Sequence, residues 1–342
     1  MSAERAPRAL VVGAGVSGMV AAHRLAGAGV TVTLLEAQAA PGGRLATRPV
    51  GAAAADSGAQ FFTARRAPFV ALFAAWRYAG VPIRVWSHGW LRAASAADGP
   101  AAAAHVDDVT PRYTVEGGMR RLVAHLSEGL DIRLGTRIQK VCRPGPEMAV
   151  EDDTPRVWEA DAVVVTPPLP QALALLDAGG LAVPDPLRGV TYQPCVALLV
   201  ALDGEPSVPH PGGAQFTDGP VSWLADNVVK GASQKPSLTV HASPAWSNAH
   251  AGAGDAEVAE ALLAEVAAWL GDASVTAVEV ERWEHARPRF QLTEPAIAVP
   301  GTGDRVVLAG DAFVGELVGP TVEGAGMSGL AAADAVIASL ER

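Results

Sequence analysis

The sequence predicts an α/β fold built around a parallel β-sheet. Residues 10–44 are the main observation, because an apolar strand, a glycine-rich turn, an amphipathic helix and a second strand ending in an acid follow one another there. Short apolar strands recur at residues 131–166 and at 306–309. Strands that alternate with helical segments in this way are typical of α/β proteins with a parallel sheet.

The first unit has the spacing of a dinucleotide-binding βαβ motif. After the strand Leu10–Val12, Gly13 permits a tight turn and Gly15 lets the backbone approach a pyrophosphate, while Gly18 lets the next helix pack closely. The N-terminus of that helix offers free N–H groups and the positive end of its dipole to phosphates. The predicted contacts of this turn are Gly13, Ala14, Gly15, Val16, Ser17 and Gly18.

The second strand, Val30 to Leu35, ends at Glu36. Its carboxylate follows Gly13 at about the 20-residue spacing at which an acid accepts hydrogen bonds from an adenosine ribose. A 2′-phosphate would be repelled there, and Ala37 is expected beside the same ribose. This unit alone does not distinguish NAD from FAD.

Three later segments make that distinction. They are Pro41-Gly42-Gly43-Arg44 after the acid, Leu308-Ala309-Gly310-Asp311 at the end of a late strand, and Val322-Glu323-Gly324-Ala325 at the start of a last helix. Together they resemble the FAD-dependent amine oxidase and phytoene desaturase superfamily. The resemblance implies FAD, with the diglycine loop and the late Gly-Asp gripping its pyrophosphate and ribityl chain. It also implies that the N-terminus of the last helix stabilises the reduced flavin, and no cysteine lies in this segment to attach the flavin covalently.

A closer resemblance, within that superfamily, is to the renalases. Residues 56–65, DSGAQFFTAR, are similar to the renalase segment DxGAQYFTAR. The similarity continues in order along nearly the whole chain, through Gly117-Gly118-Met119, Thr166-Pro167-Pro168, Trp223-Leu224-Ala225, residues 241–247, Arg282-Trp283 and Ala286-Arg287-Pro288. It implies a renalase-like FAD oxidase that takes a hydride from 2- or 6-dihydro isomers of NAD(P)H. The electrons pass to O2, and the products are NAD(P)+ and hydrogen peroxide.

The same resemblance adds further site residues. Those expected at the flavin are Gly58, Ala59, Gln60, Phe61, Ile138 and Thr166, and the candidate substrate contacts are Gln60, Trp223, His241, Trp246 and Arg287. Each substrate candidate has a structural alternative. Gln60 could only brace its loop, His241 could be a structural histidine, both tryptophans could be packing residues, and Arg287 could form an internal ion pair. No metal site is expected.

Two departures weaken amine oxidation as the activity. Amine-oxidising relatives use a lysine that contacts flavin N5 through water, whereas the three lysines here, Lys140, Lys230 and Lys235, are not in a matching strand context. Relatives also cage the amine between aromatic rings, and Thr321 stands where one ring would be. An amine oxidase or desaturase acting on a biosynthetic small molecule stays the alternative, and a non-catalytic flavoprotein is a third.

In this superfamily the FAD domain is assembled from separate segments. The resemblance therefore predicts a Rossmann-like FAD domain of the glutathione reductase-2 or amine oxidase type from residues 1–60, 112–184 and 292–342. Residues 61–111 and 185–291 would form an inserted α+β substrate domain, with an antiparallel sheet over the flavin. A helix is predicted over 255–270 with Asp255 as its cap, and the alanine-rich residues 93–104 are predicted to form a surface loop.

Composition excludes several functions. A net charge of −10 argues against a nucleic-acid surface, and no apolar run reaches the ~18 residues that a membrane helix needs. With 342 residues, 49% of them hydrophobic, the chain can bury a sizeable core. Two cysteines, and a charged N-terminal MSAERAPR that leaves no room for a signal peptide, predict a cytoplasmic protein. It is expected to act on a small molecule as a monomer or homodimer.

Overall fold

The computed structural model describes residues 5–313 and 321–342. Residues 1–4, where the prediction about a signal peptide partly rests, lie outside the described residues. The helices are α1 (Val16–Gly27), α2 (Ala67–Tyr78), α3 (Arg120–Ser127), α4 (Leu169–Ala178), α5 (Asp185–Arg188), α6 (Asn227–Lys230), α7 (Pro244–Ala249), α8 (Asp255–Glu265), α9 (Ala267–Leu270) and α10 (Val322–Leu340). Within the described ranges, no helix is both long and apolar enough to cross a membrane.

A six-stranded sheet, here called the parallel sheet, forms the base of the molecule. Its strands, in spatial order, are β17 (Ile297–Ala298), β18 (Val306–Leu308), β11 (Ala162–Val165), β1 (Arg8–Val12), β2 (Thr31–Leu35) and β7 (Asp131–Arg133). All neighbours run parallel except β17 and β18. This confirms the predicted α/β class and the βαβ unit at the start of the chain.

The parallel sheet is buried on both faces, which is why its strands are continuously apolar. Helices α1, α2, α3 and α10 cover one face in a first core. Helix α4 covers the other, together with an antiparallel sheet of β8 (Ile138–Cys142), β9 (Met148–Asp152) and β10 (Val157–Ala160). The carboxyl ends of β1 and β2 therefore open at one edge, where the glycine turn lies.

A seven-stranded sheet, here called the roof sheet, forms a second layer. Its strands, in spatial order, are β16 (Val275–Pro288), β12 (Tyr192–Leu202), β15 (Ser237–Ala242), β14 (Val221–Asp226), β13 (Gly213–Phe216), β5 (Ile83–Ala93) and β6 (Ala104–Val115). Its pairs are antiparallel except β5 with β13. A short hairpin of β3 (Thr47–Val50) and β4 (Ala53–Asp56) packs against its inner face.

Alternation along the roof strands divides their side chains between two faces. In β12, Val196, Leu198 and Val200 point to the outer face, where α8 and α9 complete a third core. Leu199 and Ala201 point to the inner face and contact the β3–β4 hairpin. In β15 the same alternation turns Val240 outward, so His241 lies on the inner face.

Two local predictions need correction. The helix predicted over 255–270 is interrupted at Val266, and Asp255 does not cap it, because Gly254 is the N-cap and the Asp255 carboxylate pairs with Arg282 instead. The apolar stripe of that segment was predicted correctly, since Val258, Leu262, Val266 and Trp269 are all buried. The alanine-rich segment contains two 3₁₀ turns, at Ala96–Asp98 and Pro100–Ala102.

The predicted domain segments do not coincide fully with the sheets. Strand β6 runs through the boundary proposed at residue 111 and belongs to the roof sheet to its end. Helix α2, from a predicted substrate segment, packs in the first core with α10. The division into two domains stays a prediction.

Candidate functional site

The glycine turn after β1 is closely packed, and two of its glycines have no room for a side chain. Gly13 has a φ of +95°, and a Cβ on it would lie 2.7 Å from Thr166 Oγ1, which donates to the Val12 carbonyl at 2.8 Å. A Cβ on Gly18 would lie 2.0 Å from the Gly13 carbonyl oxygen, which accounts for the glycine there. A Cβ on Gly15, by contrast, would meet no protein atom within 4 Å. Gly15 therefore borders open space on the ligand side of the turn.

One buried polar atom in this turn has no protein partner. The Ser17 hydroxyl is buried at the start of α1 and finds no hydrogen-bond partner among the described residues. Buried polar groups in native proteins are nearly always satisfied, by protein, water or a ligand. Together with the free N–H groups of the first turn of α1, this hydroxyl suits a phosphate oxygen.

Glu36 is fixed at the end of β2. Its Oε2 accepts from the Ala14 amide and its Oε1 from the Gln38 amide, both at 2.8 Å. The carboxylate thus lies beside the glycine turn, where a ribose hydroxyl would bind, and Ala37 next to it is partly exposed. Ile138 is different, because its side chain is buried in the second core and leaves only backbone for a ligand.

The diglycine loop contacts the glycine turn directly. The Gly42 amide donates to the Ala14 carbonyl at 2.8 Å, and both Gly42 and Gly43 have positive φ, at +112° and +53°. Non-glycine residues rarely adopt such φ values. The fold therefore holds the diglycine at the same opening as the turn.

Arg44 and Asp311 meet although they are far apart in the chain. The guanidinium donates to both carboxylate oxygens, at 2.5 and 2.9 Å, and also to the His285 and Ala286 carbonyls. The Tyr192 hydroxyl donates to Asp311 at 3.0 Å. Burial alone would lower the pKa of Arg44, but the charge and the hydrogen bonds of Asp311, together with Tyr192, outweigh burial and the pKa is raised. The pKa of Tyr192 is also raised, by burial and then by Asp311, so the phenol stays protonated.

The side chain of Glu323 makes its hydrogen bonds to the protein. It is fully buried, and its Oε1 accepts from the amides of Arg65 and Arg66 at 2.7 Å while Oε2 accepts from the Thr63 hydroxyl. Thr321 caps the same helix by accepting from the Gly324 amide. These bonds fasten the start of α10, Val322 to Ala325, to the segment that follows Phe61. Only the backbone of this helix end is left for a cofactor.

The segment Ser57–Phe61 crosses between the two sheets. A Cβ on Gly58 would lie 2.1 Å from the Arg44 carbonyl oxygen, which also accepts from the Ala59 amide. The Gln60 side chain folds back, donating to the Asp56 and Gly58 carbonyls at 2.7 and 3.0 Å. Its oxygen accepts from Lys230 at 2.9 Å. Gln60 therefore braces the loop, which is the structural alternative considered for it.

Two residues of the roof sheet hydrogen-bond to this segment. His241 Nε2 lies 2.9 Å from the Ser57 carbonyl, so that nitrogen carries the hydrogen, and Trp283 Nε1 donates to the same oxygen at 3.1 Å. The pKa of His241 is lowered to about 4. Burial is the largest cause, the bond to Ser57 opposes the shift, and the nearby Lys230 charge adds to it. The imidazole is therefore neutral and a weak base.

An aromatic cluster, here called the tryptophan cluster, adjoins His241 on the inner face. It consists of Phe61, Trp86, Trp90 and Trp223. Trp223 pairs with His241 across β14 and β15, and its ring meets Trp90 edge-on at 4.8 Å between centroids. Trp223 Nε1 is buried without an acceptor among the described residues. This indole is thus a packing residue that still carries a free donor.

Two candidate substrate residues lie elsewhere. Trp246 is in α7, stacks on His250 at 3.9 Å and packs against the third core, on the opposite face of the roof sheet from His241. This placement favours packing as its role. Arg287 is exposed in β16, and its side chain has no ion-pair or hydrogen-bond partner in the described part of the chain, so the internal ion pair given as its alternative is not found there.

Sequence reasoning missed the buried ion pair beneath the loop. Lys230 and Asp56 are both fully buried, with Nζ 2.8 Å from Oδ2. Lys230 lacks the strand context of the lysine in amine-oxidising relatives, because it lies in a helix, α6. A single charged residue in a loop-like stretch carries no periodic signal that could have shown its burial.

Comparisons with known proteins agree with this arrangement. Residues 86–337 match the family described as flavin containing amine oxidoreductase, and residues 11–78 match the NAD(P)-binding Rossmann-like domain. Over 59 residues the chain is 52% identical to the hydroxyneurosporene desaturase of Cereibacter sphaeroides, a match that spans only 17% of this chain and 12% of the desaturase.

Solved structures share the whole fold. A crystal structure described as a protoporphyrinogen oxidase from Exiguobacterium sp. 255-15 superimposes with a TM-score of 0.75 at 15% identity, covering 99% of this chain and 100% of that one. Putrescine oxidase bound to putrescine gives a TM-score of 0.70 at 16% identity, covering 98% and 99%. At such identities the likeness concerns the fold alone.

Proposed function

The chain belongs to the flavin containing amine oxidoreductase family, and from this premise we propose that it is a renalase-like oxidase of nicotinamide nucleotide isomers. It takes a hydride from a 2- or 6-dihydro isomer of NADH or NADPH. The isomer, O2 and one proton are converted to NAD(P)+ and H2O2. The similarity of residues 56–65 to the renalase segment supports this subtype.

FAD is the cofactor, and the enzyme is an FAD-dependent oxidoreductase. The residues present fit it: the orphan Ser17 hydroxyl and the open space at Gly15 suit the pyrophosphate, and Glu36 suits the ribose. Bound FAD accepts two electrons from a substrate and returns them to an acceptor. We propose that it is held without a covalent bond, with Arg44, Asp311 and the start of α10 completing its site.

One observation carries the proposal: among the described residues, the titratable groups that contact the segment Ser57–Phe61 are not free to act as a strong base. His241 has a pKa of about 4 and donates through Nε2, and Lys230 is bound to Asp56 and Gln60. An amine must lose its own proton before oxidation. A dihydropyridine needs no base, because it becomes aromatic when it gives up the hydride. The protein's contribution is then orientation.

The inner face offers contacts suited to such a substrate. The rings of Phe61, Trp90 and Trp223 form an apolar cluster beside His241. The Trp223 Nε1 is buried without an acceptor among the described residues, and a carboxamide oxygen would satisfy this donor. Outside the tryptophan cluster, on β16, the exposed guanidinium of Arg287 suits a nucleotide phosphate. These roles are proposals for individual residues.

An amine oxidase or desaturase is the second candidate, favoured by the family and by the local match to a desaturase. Among the described residues, Thr321 and the two tyrosines Tyr113 and Tyr192 do not form the expected aromatic cage. Thr321 caps α10, Tyr192 is bound to Asp311, and Tyr113 packs against Phe62 and Phe73.

Anaerobic mixing of the FAD-loaded protein with an isomer mixture of dihydro-NAD tests the proposal. Loss of the oxidised flavin band with the mixture, but not with ordinary NADH or putrescine, followed by recovery in air with peroxide formed, is the expected result. Reduction by putrescine alone would favour the second candidate. A flavin that stays oxidised with the isomers would refute the first.

A further inference from the structure

Lys230 is a charged side chain in a place where charge is costly. It ends the short helix α6 and is fully buried. Its ammonium lies 2.8 Å from Asp56 Oδ2 and 2.9 Å from Gln60 Oε1, with the Trp86 ring at 5.6 Å. Buried ions are destabilising unless they are paired and hydrogen-bonded. Such a residue calls for a reason beyond stability.

Asp56 links Lys230 to the rest of the fold. Its Oδ1 accepts from the Thr47 hydroxyl and from the Met119 amide, so the carboxylate joins the β3–β4 hairpin to the start of α3. Its Oδ2 faces Lys230 alone. The Lys230 ammonium is therefore paired with a carboxylate whose other oxygen is already fixed by two hydrogen bonds.

Gln60 is the only other hydrogen-bonding partner of Lys230 among the described residues. The Gln60 amide nitrogen donates to two carbonyls of its own loop. The bond from Lys230 to the Gln60 amide oxygen then fixes the orientation of the whole side chain. The result is a loop with a defined path from Ser57 to Phe61. The amides of Gly58, Gln60 and Phe61 then have no acceptor within the described ranges, and they are available to a ligand.

We propose that Lys230 is a positioning residue, which holds the segment Ser57–Phe61 against cofactor and substrate by fixing Gln60. It does not reach the substrate, since its side chain is fully buried and both of its close contacts are within the protein. The effect on substrate rests on the proposed function, whereas the effect on the loop does not.

The matched pair of variants is Lys230→Met and Lys235→Met. Lys235 lies five residues further along the chain and is exposed, so its loss should change nothing. In the FAD-free protein, hydrogen exchange is followed at the amides of Ser57, Ala59 and Phe62, which are bonded to Ala46, Arg44 and Tyr113. Lys230→Met should exchange faster there than the wild type and Lys235→Met should not. Equal exchange in a folded Lys230→Met protein would overturn the proposal.

With FAD bound, Lys230→Met should also show an altered visible flavin spectrum and a reduction rate about tenfold to a hundredfold lower, the scale of loss from misplacing reacting groups by about 1 Å. Gln60→Leu should lower the rate similarly. The double variant Lys230→Met/Gln60→Leu should lose no more than either single variant, because both act through one contact. Losses that multiply would show that Lys230 acts independently of Gln60.

If Lys230→Met does not fold, Asp56→Asn/Lys230→Met removes both buried charges and takes its place. The same exchange and rate changes are expected, and wild-type behaviour in this protein would equally overturn the proposal. If no isomer reduces even the wild type, the proposed function fails, and the exchange comparison of FAD-free proteins still decides the role of Lys230.

Discussion

Replacing Gly15 by alanine separates cofactor binding from folding. Gly15 has φ −79° and ψ −177°, which alanine also adopts, and a Cβ there meets no protein atom within 4 Å. Glycine is a better N-cap than alanine but costs more entropy on folding, and these effects offset each other to within about 1 kcal/mol. The FAD-free variant should therefore be as stable as the wild type.

The cost appears when FAD binds. If the pyrophosphate passes against residue 15, the added methyl occupies its path, and overpacking by one methyl costs about 1–3 kcal/mol. That corresponds to a Kd raised about fivefold to 150-fold. FAD should then also raise the Tm of the variant less than that of the wild type, because stabilisation by a ligand follows its affinity.

The assay is titration of FAD into FAD-free protein, followed by flavin fluorescence, with thermal unfolding beside it. Gly27→Ala is the matched control, since Gly27 is in the same helix and its Cβ also meets no atom within 4 Å. Gly18→Ala should behave oppositely to Gly15→Ala, because its Cβ would lie 2.0 Å from a backbone oxygen and destabilise the FAD-free protein itself. Unchanged FAD affinity in Gly15→Ala would refute the placement of the pyrophosphate.

Three further predictions follow from single contacts. Lys230→Met leaves the Asp56 charge buried and unpaired, which should cost about 3–5 kcal/mol; for 342 residues this lowers the Tm by about 4–7 °C, with Lys235→Met as the unaffected control in thermal unfolding. His241 has a pKa of about 4 when folded, and its ordinary value is about 6.5, so only the unfolded chain takes up this proton between those values and stability should fall as pH drops through that window. Urea unfolding should show a smaller fall for His241→Gln, and an equal fall would contradict the assignment. Trp223→Phe removes an indole donor that has no partner in the described structure, so stability should hold while reduction by the isomers slows about twofold to tenfold. Trp269→Phe, which loses a bond to the Ala96 carbonyl in the third core, should do the reverse, and stopped-flow reduction with thermal unfolding distinguishes the two.

The phosphate side of the site could be predicted from the sequence because it depends on local backbone geometry. At Gly13, Gly18 and Gly42 a Cβ would collide with neighbouring atoms or φ is positive. Each position therefore requires glycine, and the sequence shows these glycines at a fixed spacing. From the family resemblance, Arg44 and Asp311 could be expected at the same cofactor, but their direct contact was not predicted. The βαβ unit follows for the same reason, since period and turn residues are local signals.

The substrate side could not be predicted in this way, because it depends on register and on partners remote in sequence. Whether a roof residue faces the flavin side is decided by a single step along a strand. His241 lies on the inner face while its neighbours Val240 and Ala242 belong to the third core, and Trp246, a few residues on, has already passed to the outer side. The prediction of Asp255 as a helix cap was wrong because its carboxylate pairs with Arg282 on β16.

Gln60 shows how the two sides are joined. The motif that contains it resembles a ligand-binding segment, yet both the amide nitrogen and the amide oxygen of its side chain are bonded to the protein, to its own loop and to Lys230. What the segment presents to a ligand is therefore its backbone, with the amides of Gly58, Gln60 and Phe61 unpaired within the described structure. A backbone surface is only as well defined as the side chains that fix it. On this reasoning, the identity of residue 60 is set by the buried ion pair behind it, and exchanging the ion pair should disturb the ligand side without any substituted residue touching the ligand.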